Sequence, residues 1–447
     1  MDPVESKSLF GTDGIRGLFG RELDAGLAFS VGSAAGEVIG KGKVLVGMDT
    51  RPSGPELSRA LGAGLETAGS TALHLGVIPT GGISHLTAVA EAVMGVVISA
   101  SHNPAPYNGI KLLGPDGAKL SDRQEGQISA RVGKVEAQRP PSQDAVRAGR
   151  QWPEGLDLYL EWLLGSVNAD LSGLSVMVDC ANGAAFHAAP LVLRRLGVDA
   201  ETTADSSDGS AINHLCGATH PEWVASQARG RVGLALDGDA DRLIATDETG
   251  FVVDGDFLMA ILARHRHLRG RLNPPLVVST VMANLGFRMA MSSQGIGTIH
   301  TKVGDRYVRE EMRRSGAVLG GEQSGHIIFG DLAVTGDGLL TALALLEVLA
   351  VTGQTLTELR SRAMRRYPQV LINVEVADPT RVDGHPAVWK SVAEVEEQMG
   401  DAGRVLVRPS GTEPLVRVMV ECLESEKAER YARRLAEVIA STMKLPS

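Results

Sequence analysis

Cysteine is scarce in this chain. Of 447 residues only three are cysteines, Cys180, Cys216 and Cys422. They are too few and too widely spaced for a disulfide framework, and no CxxC or other metal-ligand spacing occurs, so a reduced, cytoplasmic compartment is expected. Aromatic residues are scarce as well, at 4% of the chain against 53 glycines. The core must therefore be built from small aliphatic side chains, with many tight loops. Positive charge is not in excess. The net charge of −9 argues against nucleic acid as a partner, because phosphate backbones attract basic faces. A small phosphate held by a few local arginines is still compatible with it. Long apolar runs are missing too. The most apolar helical pattern, near Leu339 to Val351, carries Glu347 and is too short to span a bilayer, so no membrane partner is expected. The opening MDPVESKSLF has no basic-then-apolar signal pattern.

What is present is an alternation of strand and helix patterns. The length allows roughly three or four domains of about 100–150 residues. KVLVGMDTRPSG (Lys43 to Gly54), SVMVDCANGAA (Ser175 to Ala185) and PLVVSTVMANLG (Pro275 to Gly286) each read as apolar strand, polar loop, helix start. This predicts an α/β fold of three similarly built units with mixed, mostly parallel sheets. RPPSQD, Arg139 to Asp144, reads as a linker. After Arg366 the order changes to strand, helix, two strands and a long amphipathic helix, a smaller C-terminal α+β domain. The expected domains are 1–150, 151–252, 253–366 and 367–447.

Four polar motifs interrupt this pattern. In VVISASHNPAPYNGIK, Val96 to Lys111, an apolar strand end delivers Ser101 onto a proline-stiffened loop, with His102 beside it and Lys111 shortly after. That is the layout of a nucleophile site. In DGDADR, Asp237 to Arg242, three carboxylates at i, i+2 and i+4 would be spread at intervals of ~7 Å along an extended strand, but a tight loop through Gly238 and Ala240 can gather them around a hard cation. A calcium loop is a rival, since Glu248 falls at its twelfth position. It fails because Arg242 occupies the position that requires glycine, and because the flanks look like strands. A magnesium site completed by Ser101, or by a phosphate on it, fits better. GGEQSGHI, Gly320 to Ile327, places a carboxylate, an amide, a hydroxyl and an imidazole between glycines, which suits vicinal sugar hydroxyls. RPSGTEP, Arg408 to Pro414, followed by Arg417, offers a guanidinium fork, hydroxyls and backbone N–H groups to a phosphate. Arg16, ending SLFGTDGIRG, is a further arginine suited to an anion.

With these motifs the chain resembles the α-D-phosphohexomutase family over nearly its whole length. SASHNP is similar to the family's phosphoserine loop, which implies Ser101 as the phosphorylated residue. DGDADR is similar to the magnesium loop, which implies Asp237, Asp239 and Asp241 as ligands of one Mg²⁺, with Ser101 completing the shell. GEQSGH is similar to the sugar loop, carrying Glu322 and Ser324. RPSGTEP is similar to the phosphate loop, carrying Arg408, Ser410, Gly411 and Thr412. Arg16, His102, Arg242 and Arg417 are the other residues expected against substrate, and Lys111 and His326 are the two candidates for proton transfer. LFGTDGIRG, INHLCGATHPE (Ile212 to Glu222), VGDRYV (Val303 to Val308) and the glutamine of GEQSGH are closest to members acting on glucosamine phosphates. APYNGIK departs from the family pattern, which has a bulkier, more aromatic run before NGIK.

The resemblance implies four domains arranged as a heart around a central cleft. It implies interconversion of glucosamine 6-phosphate and glucosamine 1-phosphate, through phospho-Ser101 and a bisphosphorylated sugar that also primes the enzyme. The product would feed amino-sugar precursors of the bacterial cell wall. The partner would be a small hexosamine phosphate, and the assembly considered is a homodimer. Other readings are a glucose or mannose phosphate mutase of the same family, a metal-dependent sugar phosphatase and a silent sugar-phosphate sensor. Retention of Ser101 together with three aspartates argues against the sensor.

Overall fold

The structure is a computed structural model that describes residues 9–11, 13–135, 149–410 and 414–443. The expected linker 139–144, and Gly411 and Thr412 of the phosphate loop, lie outside the described residues. The chain divides into two compact units, Met1–Met282 with Gly295–Ala363, and Ala283–Gln294 with Met364–Ser447.

The first unit holds three sheets, each mixed. The first sheet runs in the order Ile15–Leu18, Tyr107–Leu113, Met94–Ile98, Lys43–Met48, Thr71–Val77, Arg150–Gln151. Its last four strands are parallel and its first two pair antiparallel. Every residue of Met94–Ile98 is buried, as expected of a strand covered on both faces. The second sheet runs Val252–Val253, Leu243–Thr246, Val232–Leu236, Ser175–Asp179, Asp199–Thr203, and Val232–Leu236 pairs antiparallel with Leu243–Thr246, so the strands expected on either side of DGDADR are present. The third is built from Gly297–Thr301, Leu276–Thr280, Leu319–Gly321 and Ile327–Phe329, the last pairing antiparallel around the sugar-loop motif.

The scarcity of aromatics has a structural counterpart. The helices Ala25–Ile39 and Gly54–Thr67 pack backbone to backbone. A Cβ on Gly32 would lie 2.2 Å from the Leu61 carbonyl oxygen, and one on Gly64 would lie 2.1 Å from that of Phe29. Only glycine permits this approach, and the small Ala and Val side chains around it fill the space that larger rings take in other cores. Asp24 caps the first of these helices, its carboxylate accepting from Leu27 N at 2.8 Å.

The second unit is a three-stranded antiparallel sheet in the order Gln369–Glu375, Leu415–Cys422, Gly403–Pro409. Its long helix Ser425–Thr442 turns Ala428, Tyr431, Ala432, Leu435 and Ile439 inward, the three-and-four spacing of an amphipathic helix. Among the described residues no single helix is long and apolar enough to cross a membrane.

Candidate active site

Ser101 sits three residues beyond the strand Met94–Ile98 and is fully buried. Its backbone is left-handed, with φ +52°, a conformation that costs a non-glycine residue energy and recurs where geometry is functional. The loop holds it there. Ser101 N donates to Ser99 Oγ at 2.8 Å, and Ser99 Oγ donates to Asp49 at 2.5 Å. The result is that Ser101 Oγ faces the second sheet and donates to Asp237 Oδ2 at 2.7 Å. His102 Nδ1 lies 3.3 Å from the same Oγ. Burial, reinforced by Arg242 and Arg16, lowers the His102 pKa to about 4, so this imidazole is neutral at pH 7.

Asp237, Asp239 and Asp241 each present a carboxylate oxygen within 4.8 Å of the others, and all three are buried. Ala240, with φ +56°, closes the loop that gathers them. Helix N-termini hold this loop. Thr80, first residue of the helix Thr80–Val89, donates its N–H to Asp239 O at 3.0 Å and its hydroxyl to Asp239 Oδ2 at 2.9 Å. Gly338 N, opening the helix Gly338–Thr352, donates to Ala240 O at 2.9 Å. Positive helix ends offset part of the negative charge. The remainder is visible in Asp237, whose carboxyl is pushed up to about 8 by burial and by its neighbours Asp241 and Asp239. Asp239 Oδ1 and Asp241 Oδ1 are buried and accept no hydrogen bond from a described residue. Three crowded carboxylates with two oxygens left over fit a divalent cation bound by few protein ligands.

Lys111 supplies fixed positive charge beside this cluster. Its Nζ lies 2.8 Å from Asp239, 3.4 Å from Asp241 and 3.4 Å from Asp13. Burial alone would lower its pKa, but these carboxylates outweigh burial and raise it, so it is cationic at neutral pH. Asp13 in turn pairs with Arg16 and Lys119, and Lys119 reaches Asp305 at 2.7 Å. His326 lies 3.6 Å from Asp241 through Nδ1. Burial works against charging this imidazole, and Asp241 and Asp305 outweigh it, so its pKa is raised. Gly336 N nevertheless donates to His326 Nε2 at 2.9 Å, which keeps that nitrogen an acceptor and leaves Nδ1 to carry the proton toward Asp241.

The hairpin Gly321 to Ile327 carries the sugar-loop residues. Glu322 Oε1 accepts from Gly304 N at 3.0 Å, and Ser324 at its tip is exposed. In the second unit, Arg408 and Arg417 are direct partners across two antiparallel strands. Burial, then the charge of Arg417, lowers the Arg408 pKa. Like charges opposite each other in a ladder repel, and an anion between them would relieve this. Ser410 N donates to Leu415 O at 2.9 Å.

Comparison with known proteins agrees with this architecture. The phosphoglucomutase/phosphomannomutase family matches in all four of its parts: α/β/α domain I over residues 7–139, domain II over 157–250, domain III over 254–367 and the C-terminal domain over 371–438. The phosphoglucosamine mutases of Geobacillus thermodenitrificans and Staphylococcus aureus are each 48% identical to the chain. The first covers 97% of this chain and 98% of its own length, the second 98% and 99%. A solved phosphoglucomutase/phosphomannomutase family protein from Burkholderia thailandensis superimposes with a TM-score of 0.80 at 26% identity, covering 99% of this chain and all (100%) of its own. The chain belongs to the α-D-phosphohexomutase family.

In this phosphohexomutase, Ser101, His102, Lys111, the three aspartates, Arg242 and His326 form one connected cluster. Arg16 joins it through Asp13 and Asn103. Thr80, Asp13, Lys119 and Asp305 were not anticipated. GTDG contains Asp13 and GPDGAK contains Lys119, but an Asp or Lys close to a glycine carries no local sign of what it faces. Glu248, the candidate twelfth calcium ligand, instead accepts from Leu356 N at 2.9 Å and Thr357 N at 3.0 Å and so caps the helix Leu356–Ala363.

One neighbour of this network titrates near neutrality. Glu125 accepts from Arg306 Nη2 at 3.0 Å, and burial, opposed by Lys119, raises its carboxyl from 4.5 to about 7. The folded protein thus holds a proton that the unfolded chain has released between these values. The stabilisation is complete below 4.5 and is lost as pH rises through about 7. Glu125→Gln is expected to flatten the decline of unfolding free energy over this window, measured by urea titration at several pH values. An unchanged slope would remove Glu125 as its source.

Proposed function

We propose that the chain is an isomerase that interconverts glucosamine 6-phosphate and glucosamine 1-phosphate by passing a phosphoryl group through Ser101. The observation that carries this reading is Ser101 Oγ, buried and 2.7 Å from Asp237 at the edge of the carboxylate cluster. The amino-sugar substrate is supported by the 48% identity to proteins named phosphoglucosamine mutase. Asp237, Asp239 and Asp241 are the residues that would hold Mg²⁺, which when bound supplies positive charge to the oxygens of the transferring group. The orphaned carboxylate oxygens of Asp239 and Asp241 support that fit.

Phospho-Ser101 gives its phosphoryl group to a free hydroxyl of the sugar phosphate. The P–O bond to Ser101 breaks as the bond to the sugar oxygen forms, and the sugar hydroxyl proton ends on the Ser101 Oγ that the phosphoryl group leaves. The bisphosphorylated sugar then turns and returns its other phosphate to Ser101. Such transfers ask mainly for positioning and charge neutralisation. Lys111 is proposed as a fixed cation beside the transferring group, since its three carboxylate partners keep it protonated. His326 is proposed to orient Asp241, since Gly336 N–H occupies its Nε2. Glu322 and Ser324 are proposed for sugar hydroxyls, and Arg408, Ser410 and Arg417 for a phosphate; Arg16, His102 and Arg242 are proposed to face the substrate around Ser101.

The test is a panel of glucosamine, glucose and mannose phosphates presented to protein pre-phosphorylated with the matching bisphosphate, scored for isomer and for free phosphate. Glucosamine phosphates are expected to give the highest kcat/KM, with isomer as product. A site made to hydrogen-bond a 2-ammonium leaves acceptors unpaired with glucose, which allows discrimination on the order of 10⁴-fold at most. Equal or better turnover of glucose 1-phosphate would overturn the substrate, and release of free phosphate without isomer would make the protein a phosphatase.

A further inference from the structure

DTRPSG, Asp49 to Gly54, follows a buried strand, and none of its side chains is among the residues proposed to touch substrate. Yet Arg51 is fully buried. A guanidinium has five N–H donors, and all five of this one are used. Nε donates to Asp49 Oδ2 at 2.9 Å. Nη1 donates to the carbonyls of Pro104 at 2.6 Å and Tyr107 at 2.8 Å. Nη2 donates to the carbonyls of Ser101 at 2.9 Å and Asn103 at 2.7 Å. The serine loop is thus wrapped around a single buried cation, with four of its carbonyl oxygens converging on it.

A second side chain reaches the same place from the segment that follows the 3-10 turn Gly209–Ala211. Asn213 Nδ2 donates to Ser101 O at 2.9 Å and to Asn103 O at 3.1 Å, the two carbonyls that Arg51 Nη2 also holds. The carboxylate loop abuts the same atoms. A Cβ on Gly238 would lie 2.5 Å from Ser101 O and 2.8 Å from Asn213 Nδ2. The Ser101 amide is fixed as well, through Ser99 to Asp49, which Arg51 binds. Both sides of the Ser101 peptide backbone are therefore tied to one network, and its left-handed φ is over-determined by it.

We propose that Arg51 and Asn213 are positioning residues for phosphoryl transfer: they clamp the Ser101 and Asn103 carbonyls from two sides and so fix Oγ against the carboxylate loop. The proposal rests on Ser101 as the phosphoryl carrier. A turn needing only stability could satisfy these carbonyls with its own backbone N–H groups. Here the donors come from two distant segments and meet on the residue whose placement the chemistry requires. Misplacement by about 1 Å can cost on the order of 10²-fold in rate.

The experiment compares Arg51→Lys, Asn213→Ala and the double variant in the full chain, well below each melting temperature. Lysine keeps the charge but has three donors on one point instead of a planar fork. Expected losses in kcat are about 100-fold for Arg51→Lys and about 10-fold for Asn213→Ala. The KM for glucosamine 1-phosphate is expected to stay within about threefold of wild type. Because both side chains hold the same carbonyls, the double variant is expected to be little slower than Arg51→Lys alone. Hydrogen exchange at the Ser101 to Asn103 amides should accelerate in all three. Turnover within about twofold of wild type, with only the melting temperature lowered, would overturn the proposal, as would losses that simply multiply. If Arg51→Lys does not fold, Asn213→Ala decides by the same criteria. A wild-type protein inactive on every hexose phosphate defeats the functional reading instead, and amide exchange alone then decides the clamp: unchanged rates in the variants refute it.

Discussion

Ser101→Ala is expected to abolish mutase turnover while leaving the fold in place. The loss in kcat should be at least about 10⁴-fold, the scale seen when a covalent carrier residue is removed. No neighbour can substitute. Ser99 Oγ is engaged with Asp49 and with the Ser101 amide, and the strand that precedes the loop is buried along its whole length. The cost to stability is the hydrogen bond to Asp237 at 2.7 Å and the contact with His102 Nδ1 at 3.3 Å. Losing a donor to a buried carboxylate costs roughly 1–3 kcal/mol. Intact-mass measurement after incubation with a glucose or glucosamine bisphosphate should show one added phosphate on the wild type and none on the variant. The variant should still bind a divalent cation, because the three carboxylates are untouched. A variant that keeps more than about 1% of wild-type turnover would remove Ser101 as the carrier, since a 10⁴-fold loss leaves far less.

The parts of this molecule that sequence exposes are those whose signal is local. Val96, Val97 and Ile98 announce a buried strand because a strand covered on both faces has no polar alternation. Asp237, Asp239 and Asp241 are recognisable because their spacing is unstable in an extended strand and Ala240 closes the loop that brings them together. Glu248 shows the limit of spacing arguments. It stands at a calcium-loop position, yet its carboxylate caps a helix that begins 108 residues later. The charge network behind Lys111 has no local signature at all. Lys119 meets Asp13 across 106 positions and Asp305 across 186, and its partners are defined only once the first and third sheets are assembled. Arg51 escapes for the same reason. An arginine in a polar loop reads as solvated, and only the folded chain places four carbonyls around it.

Lys111→Met is expected to damage stability and chemistry together, with a pH dependence that identifies the cause. The ammonium is almost wholly buried among Asp239, Asp241 and Asp13. Methionine fills much of the same volume and removes the charge. Leaving buried carboxylates without their counter-ion costs about 3–5 kcal/mol. In the wild type, burial would raise the carboxyls of Asp13 and Asp241, but Lys111, with Lys119 and Arg16 at Asp13 and His326 and Arg242 at Asp241, together outweighs it and holds both below the usual carboxylate range. Such depressed groups stabilise the fold above the unfolded value of 3.8 and lose that contribution only on acidification. Without the ammonium, burial is opposed by fewer charges and the carboxyls move upward. The folded variant then takes up protons that the unfolded chain does not, and its stability falls as pH rises through the new values. The gap between wild type and variant should therefore widen from pH 5 toward pH 8, measured by urea unfolding at each pH. Magnesium chloride should narrow the gap at pH 8, because a divalent cation at the same carboxylates replaces the missing charge. Turnover should drop by on the order of 10²–10³-fold, the scale for removing a preorganised charge from a transition state. A variant with wild-type stability at pH 8, or with turnover within about tenfold of wild type, would show that Lys111 neither balances the carboxylates nor serves the transferring group.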